Sequence, residues 1–199
     1  MKHAIIVGHP DPDSFTLQMA HAYRQGVESL GHATLLRDLY RIGFDPRLQM
    51  SELPHRQGGA AAGDVLAERQ LLSDANVFAF VYPLWFNSPP AIVKGYIDRI
   101  FGMGFGYTSP QRGGLGPLLT GRQLIAVTSS GSSEAWLHEQ GALNSVRNLF
   151  EDSLGRVTGM RVRPHIHCDG VVPGLKERWI KEHLGHVRES VKKYFAGER

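Results

Sequence analysis

Val81-Tyr82-Pro83-Leu84-Trp85-Phe86-Asn87-Ser88-Pro89-Pro90, running on into Ala91-Ile92-Val93-Lys94-Gly95-Tyr96-Ile97-Asp98-Arg99-Ile100-Phe101, is the stretch whose reading decides the fold. The apolar run from Val77 to Val81 reads as a buried strand. Aromatic residues and prolines follow it as a tight segment, and Pro90 stands where a helix begins. In that helix Ile92, Val93, Tyr96, Ile97, Ile100 and Phe101 recur at spacings of one, three and four, which puts one apolar stripe against a sheet and turns Lys94, Asp98 and Arg99 elsewhere. Aromatic surface is thereby placed at the carboxyl end of a buried strand. Ligands of open α/β sheets sit in the crevice at that edge, and a flat ring suits such a surface.

Working outward, Lys2 to Gly8 reads as a first buried strand, and His9-Pro10-Asp11-Pro12-Asp13-Ser14-Phe15-Thr16 as a polar loop leading into a helix that starts near Ser14 or Asp13 and is stopped by Gly31. Ala33 to Leu36 is a second strand, closing in Arg37-Asp38-Leu39-Tyr40. From Arg41 to Gly63 periodicity is lost, and a loop this long inside a domain is either a functional cover or a tolerated insertion. A short helix is expected over Asp64–Ala75 with Leu66, Leu71 and Leu72 inward, and a third strand over Asn76–Tyr82. A fourth strand spans Gln123–Thr128 with the loop Ser129-Ser130-Gly131-Ser132-Ser133 after it. A helix from about Leu143 to Leu154 carries Val146, Leu149, Phe150 and Leu154 on one side. A fifth strand is expected over Arg161–Cys168, where Pro164 implies an edge or a bulge. A final helix over Leu175–Phe195 is amphipathic through Trp179, Ile180, His183, Leu184, Val187, Val191 and Tyr194. Five strands alternating with five helices predict a parallel sheet covered on both faces. The most economical topology is a three-layer α/β sandwich with strand order 2-1-3-4-5, whose switch point brings the loops at 9–16 and 82–90 together.

Composition bounds the function. A chain of 199 residues with 42% hydrophobic and 21% charged residues is expected to form one soluble domain. No apolar run reaches the roughly 20 residues of a membrane helix, so no membrane insertion is expected. The N-terminus shows no signal-peptide pattern, and the single cysteine, Cys168, fits a reducing compartment, so a cytoplasmic location is expected. The net charge of +3 is spread without a basic block, which argues against nucleic acid. It fits either an anionic small molecule or a solvated basic surface.

Three loops end at the carboxyl edge of strands one, three and four. His9 to Thr16 offers hydroxyls and the free N–H groups of a helix start, suited to phosphate. Pro83 to Asn87 offers aromatic surface and backbone amides, and Thr128 to Ser133 offers hydroxyls and a Gly131 backbone for the polar edge of a heterocycle. Phosphate, ring face and ring edge together describe a flavin nucleotide. No Gly-x4-Gly-Lys-Ser/Thr occurs and no Gly-x-Gly-x-x-Gly follows the first strand, which sets aside a P-loop NTPase and a Rossmann dehydrogenase.

On these residues the chain resembles the flavodoxin-like NAD(P)H:quinone oxidoreductases, of the DT-diaphorase and bacterial drug-activity-modulator type. The matching residues are His9 with Ser14-Phe15-Thr16, Asp38-Leu39-Tyr40 with Phe44-Asp45-Pro46, Tyr82 to Phe86 with Pro90 to Gly95, Phe105-x-Tyr107, and Thr128 to Gly131. The resemblance implies a single flavodoxin-like domain over 1–199. It implies a flavin held by His9, Ser14, Phe15 and Thr16 on the phosphate side, by Pro83, Leu84, Trp85, Phe86 and Asn87 along the isoalloxazine, and by Thr128, Ser129, Ser130 and Gly131 at its polar edge. It further implies hydride transfer from NADPH or NADH to the flavin N5 and on to a quinone or related aromatic acceptor. The expected assembly is a homodimer in which Phe105 and Tyr107 of the opposite chain wall the substrate pocket. FAD is expected, because the 41–63 segment leaves material to cover an adenylate; FMN is the alternative. The rival functions are nitro or azo reduction in the same pocket, an electron-carrier flavodoxin, and a regulatory flavoprotein subunit.

This sequence departs from the family after the fourth strand, with Trp136 where a Tyr is expected and His138 nearby; these two are the candidate catalytic residues. An indole N–H donates one hydrogen bond and cannot relay a proton. His165-x-His167 puts two imidazoles on one strand face with Cys168 on the other, but no third ligand has convincing spacing, so no metal is expected. Arg112 with Gly113-Gly114 could close over a pyridine-nucleotide phosphate or be a mobile surface loop.

Overall fold

Strands that are apolar on both faces need cover on both, and three segments of this chain have that character. They are β1 (Lys2–Val7), β3 (Val77–Pro83) and β4 (Gln123–Ser129). In the computed structural model, which describes residues 1–53, 61–108 and 116–198, they form the centre of one parallel sheet. On one face Ala4, Ile6, Phe78, Phe80, Tyr82, Leu124 and Ala126 meet α2 (Gly63–Leu71) and α3 (Ala91–Ile100). On the other, Ile5, Val7, Val77, Ala79, Val81, Ile125 and Val127 meet α1 (Phe15–Glu28) and α7 (Glu177–Phe195). β2 (Ala33–Asp38) flanks β1, and the order is β2-β1-β3-β4 with the fifth position beyond β4, as the alternation predicts.

The fifth position is broken in two. β5 (Arg161–Val162) pairs Val162 with Leu124, whereas β6 (Ile166–Cys168) pairs Ile166 with Val127, so one extra residue has entered around Pro164. The sheet therefore counts six strands rather than five, and the bulge that the proline implies accounts for the difference.

Other expectations are corrected. In α2 the inward residues are Val65, Glu68 and Leu72, while Leu66 and Leu71 are exposed. Glu68 takes an interior place because Arg37 and Tyr96 bind its carboxylate, with Tyr96 Oη donating over 2.7 Å. Arg99 is not on the outer face of α3. It is 4% exposed, and its guanidinium reaches Glu52, Asp64 and the Asp45 carbonyl. That fork holds the described part of the long loop, including a 3₁₀ turn at Met50–Glu52, against α3. Gly95 permits the approach, since a Cβ there would lie 2.2 Å from the Pro46 carbonyl.

The helix expected over 143–154 is a relay of short pieces. α4 (Glu134–Glu139) precedes α5 (Ala142–Val146), and a π-helical turn, Arg147–Asp152, leads into α6 (Ser153–Thr158). The wider turn shifts the helical phase. Leu149 is left 72% exposed and Glu151 is carried into the interior. In α7, Val187, Val191 and Phe195 are buried, whereas Trp179 near the start is exposed.

Candidate flavin-binding site at the carboxyl edge of the sheet

The loop after β1 turns into α1 through Ser14, whose hydroxyl accepts from the Leu17 N–H and caps the helix. The N–H groups of Phe15 and Thr16 have no protein acceptor among the described residues. Two donors are thus presented at a helix start, where the peptide dipoles favour an anion. Arg41, which the sequence reading passed over, fastens this loop: it binds Asp38 and donates to the carbonyls of His9 and Pro10. Its place just after β2 was the available signal, since β2 lies beside β1 in parallel.

The loop after β3 is a tight reversal. Trp85 and Ser88 exchange backbone hydrogen bonds of 3.0 and 3.1 Å, and the two residues between them, Phe86 and Asn87, have φ of 49° and 54°. Two left-handed central residues make a type I′ turn, a geometry that favours glycine and asparagine. Phe86 occupies it with its ring fully in solvent. A bulky side chain held in that region is strained and recurs at functional sites. Asn87 donates to the Ala142 carbonyl over 3.0 Å, while its Oδ1 is buried without a partner among the described residues. The N–H groups of Phe86 and Asn87 are likewise without protein acceptors among the described residues.

The third loop is joined to the second by the Leu84 N–H, which donates to the Ser129 carbonyl over 2.7 Å. His9 and Trp85 close the other side, ring edge to face at 5.7 Å. The three loops therefore meet, as their positions on adjacent strands predict. The Gly131 and Ser132 N–H groups carry no protein acceptor among the described residues, whereas those of Ser130 and Val171 are spent on the Cys168 and Ser130 carbonyls. The Thr128 hydroxyl is turned inward, 2.6 Å from His165 Nε2 and 2.8 Å from His167 Nδ1. His165 in turn meets Glu151 over 2.6 Å, and His167 meets Ser130 over 3.1 Å. Burial and the neighbouring His165 pull His167 down to about 4, so it is neutral at pH 7.

Trp136 stands half exposed on α4, whose first turn is capped by Ser133. His138 pairs with Glu134 at 3.3 Å and faces a cavity of about 250 Å³ shared with His165 and His167. Tyr107 lines an open, mainly apolar groove of about 480 Å³ with Ser88, Ile97, Phe150 and Leu154. Phe105 does not join it. Its ring packs into this chain's own core against Phe78 and Phe101, with the Arg69 guanidinium 5.8 Å from its centre. Cys168 lies on the opposite face from His167, with burial pushing its thiol up to about 12. Among the described residues no group of three or more His, Cys, Asp or Glu could hold a metal ion. Arg112, Gly113 and Gly114 lie outside the described residues.

Residues 1–191 match the model of a family described as having a flavodoxin-like fold. The chain belongs to this flavodoxin-like family. An uncharacterized NAD(P)H oxidoreductase of Haemophilus influenzae is 32% identical over 161 residues, covering 80% of this chain and 79% of the relative. Among solved structures, the NAD(P)H:quinone oxidoreductase of Methanothermobacter marburgensis superposes with a TM-score of 0.86 at 24% identity, over 100% of this chain and 99% of that one. An FMN-dependent NADH-azoreductase of Bacillus anthracis, solved with FMN, superposes at 0.75 with 17% identity, over 97% and 99%. At those identities the two structures share the flavodoxin-like fold with this chain. No helix among the described residues is long and apolar enough to cross a membrane.

Proposed function

We propose that this flavodoxin-like protein is a flavin-dependent NAD(P)H oxidoreductase that reduces quinone-like acceptors by two electrons. The observation that carries the reading is the convergence of six unspent backbone donors on one sheet edge: Phe15 and Thr16, Phe86 and Asn87, Gly131 and Ser132. The residues fit a flavin. The buried Asn87 Oδ1, which lacks a protein partner, adds an acceptor beside the donors, the pairing that an imide edge requires.

A bound flavin supplies the hydride-accepting centre, and the protein supplies binding, orientation and electrostatics. Phe15 and Thr16 hold the phosphate through their N–H groups, with Ser14 and His9 shaping the loop. Pro83, Leu84, Trp85, Phe86 and Asn87 border the ring. Gly131 and Ser132 address its polar edge through their N–H groups, Ser129 and Ser130 fix that loop by their backbone bonds to Leu84, Cys168 and Val171, and Thr128, whose hydroxyl is taken by two histidines, supports it from below. Trp136 and His138, on the helix after the third loop, border the acceptor. Backbone donors, rather than the Trp136 indole, would stabilise negative charge on a bound flavin, so Trp136→Phe should leave flavin content and turnover intact.

The 41–63 segment no longer argues for FAD over FMN, because its described part is fastened to α3 through Arg99 and hydrogen-bonds to the phosphate loop through Arg41. The names of the Methanothermobacter and Bacillus proteins give the acceptor classes to compare, a quinone and an azo compound. The homodimer belongs to the same proposal and is tested by sedimentation. Purified protein should be yellow or take up added flavin, release a cofactor whose mass separates FMN from FAD, and oxidise NADH or NADPH with a simple quinone. A colourless chain that binds neither flavin overturns the proposal.

A further inference from the structure

Beneath the third loop runs an unbroken chain of five polar groups that flavin binding does not account for. From the interior outward it is Glu151, His165, Thr128, His167 and Ser130, linked over 2.6, 2.6, 2.8 and 3.1 Å. A hydroxyl carries one proton and a neutral imidazole one, so the chain has only two consistent directions. In the first, Ser130 donates to His167, His167 to Thr128, Thr128 to His165, and His165 to the Glu151 carboxylate. In the second, Ser130 donates instead to the Ser132 carbonyl, 2.9 Å away. His167 then donates to Ser130, Thr128 to His167 and His165 to Thr128. The contact between His165 Nδ1 and Glu151 is left to be bridged by one additional proton. The two directions differ by that single proton.

Moving a proton out at the Ser130 end converts the second arrangement into the first. Ser130 loses its proton and takes that of His167, each group refills from the one behind it, and Glu151 is left as the carboxylate. The neutral state of His167 suits a group that passes a proton rather than keeping one. Glu151 and His165 are almost fully buried, and the second carboxylate oxygen has no partner among the described residues, which favours a shared proton at that end. Other charged or titratable groups face the chain from every side. Glu134 and His138 stand on α4, Arg147 on the π-helical turn, His186 and Tyr194 on α7. Asp169 and His183 act on His167, and Tyr82 on β3 faces Glu151. The cavity of about 250 Å³ that His165 and His167 line opens the middle of the chain to resupply.

The reaction proposed above, on which this inference rests, has a use for such a proton. NAD(P)H and a quinone go to NAD(P)⁺ and a hydroquinone by moving two electrons and one proton as hydride, and the second O–H bond takes one proton more. We propose that Glu151, His165, Thr128, His167 and Ser130 form a buried proton store that delivers this second proton through the Ser130 hydroxyl, reversing its hydrogen bonds as it empties. Ser130 is the group that hands the proton on, and Glu151, His165, Thr128 and His167, which act through it, are positioning residues.

The test begins without cofactor. Histidine ¹⁵N shifts of the flavin-free protein, followed against pH, report the tautomers of His165 and His167. Both should change at one shared midpoint. Thr128→Val, which cuts the chain without altering charge, should separate them, and Glu151→Gln should abolish the change at His167. Separate midpoints in the wild type, or a joint transition that survives Thr128→Val, overturn the proposal. In the flavin-loaded enzyme the kcat–pH profile should show a limb at the same midpoint. Glu151→Gln should lose that limb, with kcat at least about tenfold lower and KM unchanged. An unchanged profile in Glu151→Gln also overturns it. A protein that takes up no flavin would defeat the oxidoreductase reading while leaving the flavin-free titration to be judged by itself.

Discussion

Replacing Phe86 by glycine should make the flavin-free protein more stable, although it removes a large aromatic side chain. The ring buries nothing, being fully exposed at the tip of the type I′ turn, so no packing is lost. Holding a residue with a Cβ in the left-handed region costs about 1–2 kcal/mol. Glycine gives back about 0.4–1 kcal/mol of that through the greater freedom of its unfolded chain. The balance is a gain of about 0–1.6 kcal/mol, centred near 0.8 kcal/mol, or about 2–3 °C in Tm for a chain of this size. Phe86→Asn, which accepts the same dihedrals without the glycine entropy, should gain about 1 kcal/mol. Urea unfolding of the flavin-free variants measures both. If either variant is destabilised by more than about 0.5 kcal/mol, the strain assigned to this turn is absent. The same substitutions should loosen flavin binding, because the residue persists in an unfavourable conformation only where its ring has a task.

Three further outcomes are expected. Glu68→Ala should cost about 3–5 kcal/mol in urea unfolding, because it strands the half-buried Arg37 and the buried Tyr96 hydroxyl; Arg24→Ala, on the exposed Arg24–Glu28 pair, should cost less than about 0.5 kcal/mol. His3 is held down from 6.5 to about 3, by burial first and by His32 second. The unfolded chain therefore binds a proton below pH 6.5 that the folded chain refuses, and stability should fall as pH drops from 6.5 toward 3, by up to about 1.4 kcal/mol per pH unit. His3→Gln should remove about one proton from that slope, and an unaltered slope would clear His3 of the effect. The Cys168 thiol, buried and raised to about 12, should resist iodoacetamide in the native protein and react only on unfolding; fast native alkylation would contradict its placement.

The strands at the centre of the sheet were legible because their cover on both faces leaves a nearly continuous apolar run, as in Val77 to Val81. The meeting of the three loops followed from strand order alone. What escaped was written in polar residues with interior partners. Helical spacing turns Arg99 away from the sheet and leaves Glu68 outside the inward set of Leu66, Leu71 and Leu72, yet tertiary partners more than twenty-five residues away in sequence carry both inward. Leu149 and Glu151 exchange expected places because a π-helical turn, invisible to a 3.6-residue period, widens the helix between them. His165 and His167 read as structural histidines at a strand end. That reading was silent about the hydrogen bonds that tie them to Thr128 and Glu151.

The extra residue around Pro164 has a consequence for parity. Val162 faces the α3 side of the sheet, so an unbroken strand would send every even-numbered residue after it the same way. Ile166 and Cys168 would then crowd toward Glu151, and both histidines would be delivered to the apolar surface beneath α7. Flattening the bulge with every residue kept would thus swap the chemical character of two faces, whereas deleting one residue between Arg163 and His165 would let an unbroken strand keep Ile166 beside Val127 and both histidines where they are. In this protein the address of a polar network is set by a count of backbone residues, and an irregularity at the sheet edge is what makes the count come out odd.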